Sequence, residues 1–168
     1  SSRSIRIFKS NLTKAMNGNE KSRIELFRAA NLSGQAINIT KTTAPHAISY
    51  VLSSIYGLQH GHAVAITLGK FFEYNMPNSN KLINGKKDKK YIKRTMKNLY
   101  DLMGYNNSKK CESYWYKTMQ KVGLRFKHLG INKKSNINNL IKGVDANRLK
   151  NNPIKLDSDD LRMILDNL

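Results

Sequence analysis

Cysteine, acidic side chains and long apolar runs are all scarce in this chain of 168 residues, and each scarcity excludes something. A single cysteine, Cys111, rules out a disulfide framework and makes a reducing, cytoplasmic setting the default. No stretch of 18 or more apolar residues occurs, so the sequence offers no membrane-spanning helix. The opening Ser1-Ser2-Arg3-Ser4 lacks the apolar stretch of a secretory leader and has no starting Met, which suggests a fragment or a processed chain. No Gly-rich loop follows a strand, so there is no phosphate cradle for a dinucleotide. No serine sits in a nucleophile-elbow pattern. No internal repeat of 20–50 residues is visible.

Only 11 residues are acidic against 30 basic ones, a net charge of +19. Such a charge invites a nucleic-acid reading. The basic set is 22 Lys and 8 Arg, however, and the chain also holds 20 Asn. Phosphate and base recognition favours the planar Arg fork, and enrichment in Lys and Asn fits a base-composition bias in the gene. Residues 1–80 carry a net +6 and residues 81–168 a net +13. The densest run, Lys86-Lys87-Asp88-Lys89-Lys90, reads as a solvated helix start. A basic helical module that binds nucleic acid or another polyanion is the alternative reading.

Hydrophobic residues make up 39% of the chain, enough for one globular domain over 1–168. Their spacing is helical nearly throughout. Ile5, Phe8, Leu12 and Ala15 mark a first helix, ended by Asn17-Gly18-Asn19. Ile24, Phe27, Ala30 and Gly34 mark one face of a second, over roughly residues 20–38. Thr42-Thr43-Ala44-Pro45 reads as a helix start, with Thr able to cap and Pro tolerated in the first turn. This third helix runs to Tyr56 and stops at Gly57. A fourth starts at His60-Gly61-His62 and continues to Tyr74, before a loop at Pro77 and Asn78-Ser79-Asn80. Ile92, Met96, Leu99 and Met103 form a core stripe closed by Gly104. Cys111, Trp115, Met119 and Val122 form another, which favours an inert, packed thiol. Asn138–Ile141 suggests a short helix, and Asp157-Ser158-Asp159-Asp160 resembles an acidic N-cap before Leu161, Ile164 and Leu165. No strand pair with a convincing turn appears. The expected fold is an all-α, bundle-like domain.

Three of the four histidines, His46, His60 and His62, fall within 17 residues and bracket one helix–turn–helix unit. Neutral imidazoles are good ligands for first-row divalent metals. Spacing alone also allows each to cap a helix or fill a polar niche. A sharp angle at Gly57 could bring His46 and His60 together; nothing requires it. His128 stands apart and reads as structural or exposed. Companion carboxylates are few: residues 1–80 offer only Glu20, Glu25 and Glu73, and no Asp lies four residues before any His. A metal site would be incomplete in this chain. Lys41, Thr42 and Thr43 precede a helix N-terminus, where free N–H groups and the dipole favour anions. They are candidates for holding an anionic substrate group, with simple capping by Thr as the competing reading.

The segment Asn38-Ile39-Thr40-Lys41-Thr42-Thr43-Ala44-Pro45-His46-Ala47, followed by His60-Gly61-His62-Ala63-Val64, resembles the C-terminal domain of the iron-containing (group III) alcohol dehydrogenases. It is most similar to the phosphonoacetaldehyde-reductase-like subgroup. The resemblance covers nearly the whole chain, including Arg148-Leu149-Lys150-Asn151-Asn152-Pro153 and the ending Leu161 to Leu168. It implies a two-domain enzyme acting on an alcohol or aldehyde, with NAD(P) held mainly by an N-terminal Rossmann-like domain that this chain lacks. It also implies a divalent metal, Fe2+ or Zn2+, serving as a Lewis acid in hydride transfer. The family's metal is held by an Asp and a His one turn apart, then by two later histidines. The later two map onto His46 and His60, and the first pair would lie upstream of Ser1. His62 falls where relatives vary. Tyr50 stands where many relatives carry a further His, which puts a proton-relay role there in doubt. The isolated chain is expected to be inactive, and a homo-oligomeric state stays open.

Overall fold

The computed structural model describes residues 1–78, 81–85, 87–124 and 134–168. Among them the chain forms ten helices: α1 (Ser2–Met16), α2 (Glu20–Thr40), α3 (Ala44–Tyr56), α4 (His60–Leu68), α5 (Phe71–Tyr74), α6 (Lys89–Met103), α7 (Ser108–Lys121), α8 (Lys134–Gly143), α9 (Ala146–Leu149) and α10 (Ser158–Asp166). The only β-type pairing among the described residues is an isolated bridge between Ile83 and Ile154. It ties the loop before α6 to the segment before α10. No helix of the described residues is long and apolar enough to cross a membrane.

α3 is the buried centre. Ala44, Ile48 and Leu52 are fully buried and Ala47 and Val51 nearly so. Burying a Leu or Ile side chain contributes about 1.5–3 kcal/mol, so this short helix anchors what packs on it: α4, α8 and α9. The α8 contact is close. A Cβ on Gly143 would lie 2.8 Å from Val51 Cγ1, so a side chain there would drive the two helices apart. The predicted stripes of the second half lie inward, with Ile92, Met96 and Met103 buried on α6 and Cys111 and Met119 on α7. Burial pushes the Cys111 thiol pKa up, in keeping with an inert sulfur. Asp157 and Asp160 form a full capping box on α10. Asp88 caps α6 through Tyr91 N–H, and Lys87, Lys89 and Lys90 around it are exposed. Lys86, Ser79, Asn80 and His128 lie outside the described residues.

Three expectations change. On α2 the predicted stripe faces outward: Phe27 is 76% and Ile24 51% exposed, while Ser22 and Ala29 are buried. The close face is the small-residue one, where Ser4 Oγ donates to the Ala29 carbonyl at 2.7 Å; small side chains let α1 and α2 approach.

The fourth helix does not run through to Tyr74 but breaks at Gly69-Lys70 into α4 and α5. Trp115 Nε1–H donates to the Ala65 carbonyl at 2.9 Å and the Tyr116 hydroxyl to that of Ile66 at 3.1 Å. Two carbonyls of α4's last turn, which end without intrahelical partners, are thus capped from α7. A Cβ on Gly69 would lie 2.6 Å from Tyr116 Cζ, so only glycine admits that ring.

Thr43 is the N-cap residue of α3, yet its side chain makes no capping bond. Buried Asn152 supplies it instead, its Oδ1 accepting from Ala44 N–H at 3.5 Å.

Candidate functional site

His46 stands in the first turn of α3. Ser49 and Tyr50 follow at three and four residues and so share its face. Gly57 ends α3 in a left-handed conformation (φ 65°). Leu58 and Gln59 then carry the chain back, so that α4 opens with His60 against that same face. The result is a closed set of contacts. His60 Nε2 lies 3.1 Å from His46 Nδ1, and His60 Nδ1 lies 3.3 Å from Ser49 Oγ. Ser49 Oγ donates to the His46 carbonyl at 2.8 Å.

Proton accounting assigns one nitrogen of His60. Ser49 has one hydroxyl proton and gives it to a carbonyl, so towards His60 it can only accept. His60 Nδ1 therefore carries a proton, and Nε2 is the nitrogen turned towards His46. The His46 pKa is lowered by desolvation first and by His60 second, which favours its neutral form. Two imidazole nitrogens converge. Two nitrogens bound to one tetrahedral metal at about 2.0–2.1 Å are roughly 3.3 Å apart, close to the separation found. The donor set and spacing fit a divalent metal. The set is also partial: among the described residues no group of three or more His, Cys, Asp or Glu side chains could hold a metal ion. His62 lies about 200° around α4 from His60 and is half-buried.

A cleft of about 550 Å³ is lined by Lys41, Thr42, Asp145, Asn147, Arg148, Lys150 and Asn151, and it is linked to the histidines through the contact of Arg148 with Tyr50. Lys41 and Thr42 are thus brought to one surface, whereas Thr43 is not part of that lining. Lys41 holds a positive φ of 62°. Asn151 Nδ2 steadies this corner, donating to the carbonyls of Thr40 and Thr42. Arg148 and Lys150 enter the sequence reading only within a stretch that carries the resemblance, not as site residues, and Ser49 does not enter it at all. The Arg148 guanidinium stacks 4.3 Å from the centre of the Tyr50 ring, and that ring lies 5.6 Å from His60. Ser49 could have been found from its spacing to His46. Arg148 could not, because 98 residues separate it from Tyr50.

With this geometry in view, the comparisons with known proteins are consistent. A family model described as the Fe-containing alcohol dehydrogenase family, C-terminal, matches residues 1–168. The chain is 51% identical over 53 residues to a phosphonoacetaldehyde reductase of Streptomyces viridochromogenes, a match covering 32% of this chain and 13% of that protein. It is similar in structure to an iron-containing alcohol dehydrogenase from Thermotoga maritima, with 25% identity and a TM-score of 0.73 over 97% of this chain and 39% of the other. The fold also matches sulfoacetaldehyde reductase from Bifidobacterium kashiwanohense, solved in complex with NAD+, at 22% identity and a TM-score of 0.76 over 99% and 42% of the two chains. The chain therefore spans about two fifths of the length of these solved relatives.

Proposed function

The chain belongs to the Fe-containing alcohol dehydrogenase family, matching its C-terminal domain, and we propose that it is the metal-binding half of an NAD(P)-linked alcohol dehydrogenase or aldehyde reductase. The observation that carries this is the convergence of His46 Nδ1 and His60 Nε2 at 3.1 Å, with Ser49 Oγ engaging the other nitrogen of His60. His46 and His60 would hold a divalent metal, iron or zinc, together with donors from outside this chain. Held there, such a metal would supply Lewis-acid polarisation of an aldehyde or alcohol oxygen for hydride transfer. The chain's own residues orient the two imidazoles, form one wall of the cleft and offer Lys41 and Thr42 to a charged substrate. The dinucleotide would be held mainly by a second, nucleotide-binding domain. Alone, the chain should not catalyse hydride transfer.

A phosphonoacetaldehyde reductase among the relatives supports a short aldehyde with an anionic group as the substrate class. The deciding experiment is metal analysis of the enzyme complete with its nucleotide-binding domain. His46→Ala and His60→Ala should each lose stoichiometric metal and activity together, because each removes a directed bond. His62→Ala should retain the metal. Full metal in His60→Ala, or its loss in His62→Ala, would show the assignment to be wrong.

A further inference from the structure

The cleft linked to the histidines through Tyr50 carries three cations, Lys41, Arg148 and Lys150, against one carboxylate, Asp145. Lys150 is held by Asn147, its Nζ donating to Oδ1 at 2.9 Å. Asp145 approaches Nε of Arg148 at 3.6 Å, and both side chains are about half exposed. An exposed pair of that kind is worth little. Tyr50 holds the guanidinium by stacking, and the same ring packs against His60. A stacked guanidinium is a pre-organised fork for a planar or tetrahedral oxyanion. Lysine could not replace it there, since an ammonium has no plane to stack.

Resting on the reading above, we propose that Arg148 is the residue that selects the substrate, binding the anionic group of a short aldehyde while Tyr50 sets the distance from that anion to the carbonyl at the histidines. Lys41 and Lys150 supply the surrounding positive field. The two ring contacts in series place the guanidinium within about 10 Å of the His60 ring. With polar contacts of about 3 Å at each end, that upper limit admits only a short aldehyde bearing a phosphonate, sulfonate or carboxylate. The departure from histidine at position 50 gains a role: the aromatic ring is the platform for Arg148.

Two measurements test this. In the enzyme complete with its nucleotide-binding domain, Arg148→Gln should lower kcat/KM for an anionic aldehyde on the order of 30- to 100-fold, mostly through KM. Reduction of propanal should change less than about threefold. Arg148→Lys should recover only part of the loss. Equal losses on both aldehydes would overturn the proposal. So would a rise in KM for NAD(P)H alone, which would assign the cations to the dinucleotide phosphates. The second measurement is an NMR titration of the 168-residue chain with methylphosphonate, which needs no turnover. Saturable shifts at Arg148 Nε–H and the Tyr50 ring, lost in Arg148→Gln, are expected. Shifts spread without saturation over the lysine-rich surface would overturn the proposal even in an active enzyme. An enzyme that reduces no aldehyde, with the saturable shifts intact, would instead refute the dehydrogenase reading and leave an anion site.

Discussion

Ser49 is fully buried between His46 and His60 and touches both. Its role is positional: it spends its proton on the His46 carbonyl and requires a proton on His60 Nδ1. Groups that orient a metal-binding imidazole typically contribute 10- to 100-fold in metal affinity. Ser49→Ala should therefore weaken metal binding by about that factor in the complete enzyme without unfolding it, since the cavity left is one hydroxyl in size. Chelator competition measures the affinity, and nitrogen chemical shifts of His60 report the tautomer. Unchanged affinity with an unchanged tautomer would remove Ser49 from the site. The triad His46, Ser49 and Tyr50 could be read in the sequence as one helical face. That His60 lands on this face could not, because the return of the chain past Gly57 is set by the packing of α3 on α4 and not by any local pattern.

At the scale of elements, the helices of the second half follow their apolar stripes, and the disagreements share one cause. Where a helix end or face meets another element, the partner decides. The α4 carbonyls go to Trp115 and Tyr116 of a helix some 50 residues on, and periodicity carries no trace of that. The start of α3 behaves alike. Thr43 has the right chemistry for a cap, but Asn152 is fully buried and bonds Ala44 N–H, Asn75 Oδ1 and the Ile154 carbonyl. It thereby fixes the first turn of α3, where His46 sits, to the C-terminal segment. Asn152→Ala would leave those three groups buried without their partner, a cost of about 2–3 kcal/mol. Asn152→Asp should be no better, because both amide donors meet acceptors. Denaturant melts followed by helical circular dichroism give the number. A loss below about 0.5 kcal/mol, the size of an ordinary surface change, would mean that Asn152 does not hold α3.

For the whole molecule the net charge of +19 is the property that invites a nucleic-acid reading. It was visible in the sequence, and so was the argument against that reading, since the excess is mostly lysine. The structure adds where some of it sits. Lys87, Lys89 and Lys90 are exposed at the start of α6 beside their capping aspartate, and Lys87 also lines a cavity of about 270 Å³ with Tyr91 and Lys150. Lys41, Arg148 and Lys150 line one cleft of about 550 Å³. Polyanion binding by the chain should arise from counterion release alone, with affinity falling on a log–log scale by about 0.9 per phosphate neutralised. Random duplex DNA and any chosen sequence should bind alike at 50 mM salt and be lost together at a few hundred millimolar. Arg148→Gln should barely move that curve, since it removes one charge from a broad field. Sequence-selective binding that persists at physiological salt, or that disappears with Arg148, would mean instead that the cationic cleft is a nucleic-acid site and that the charge was selected for it.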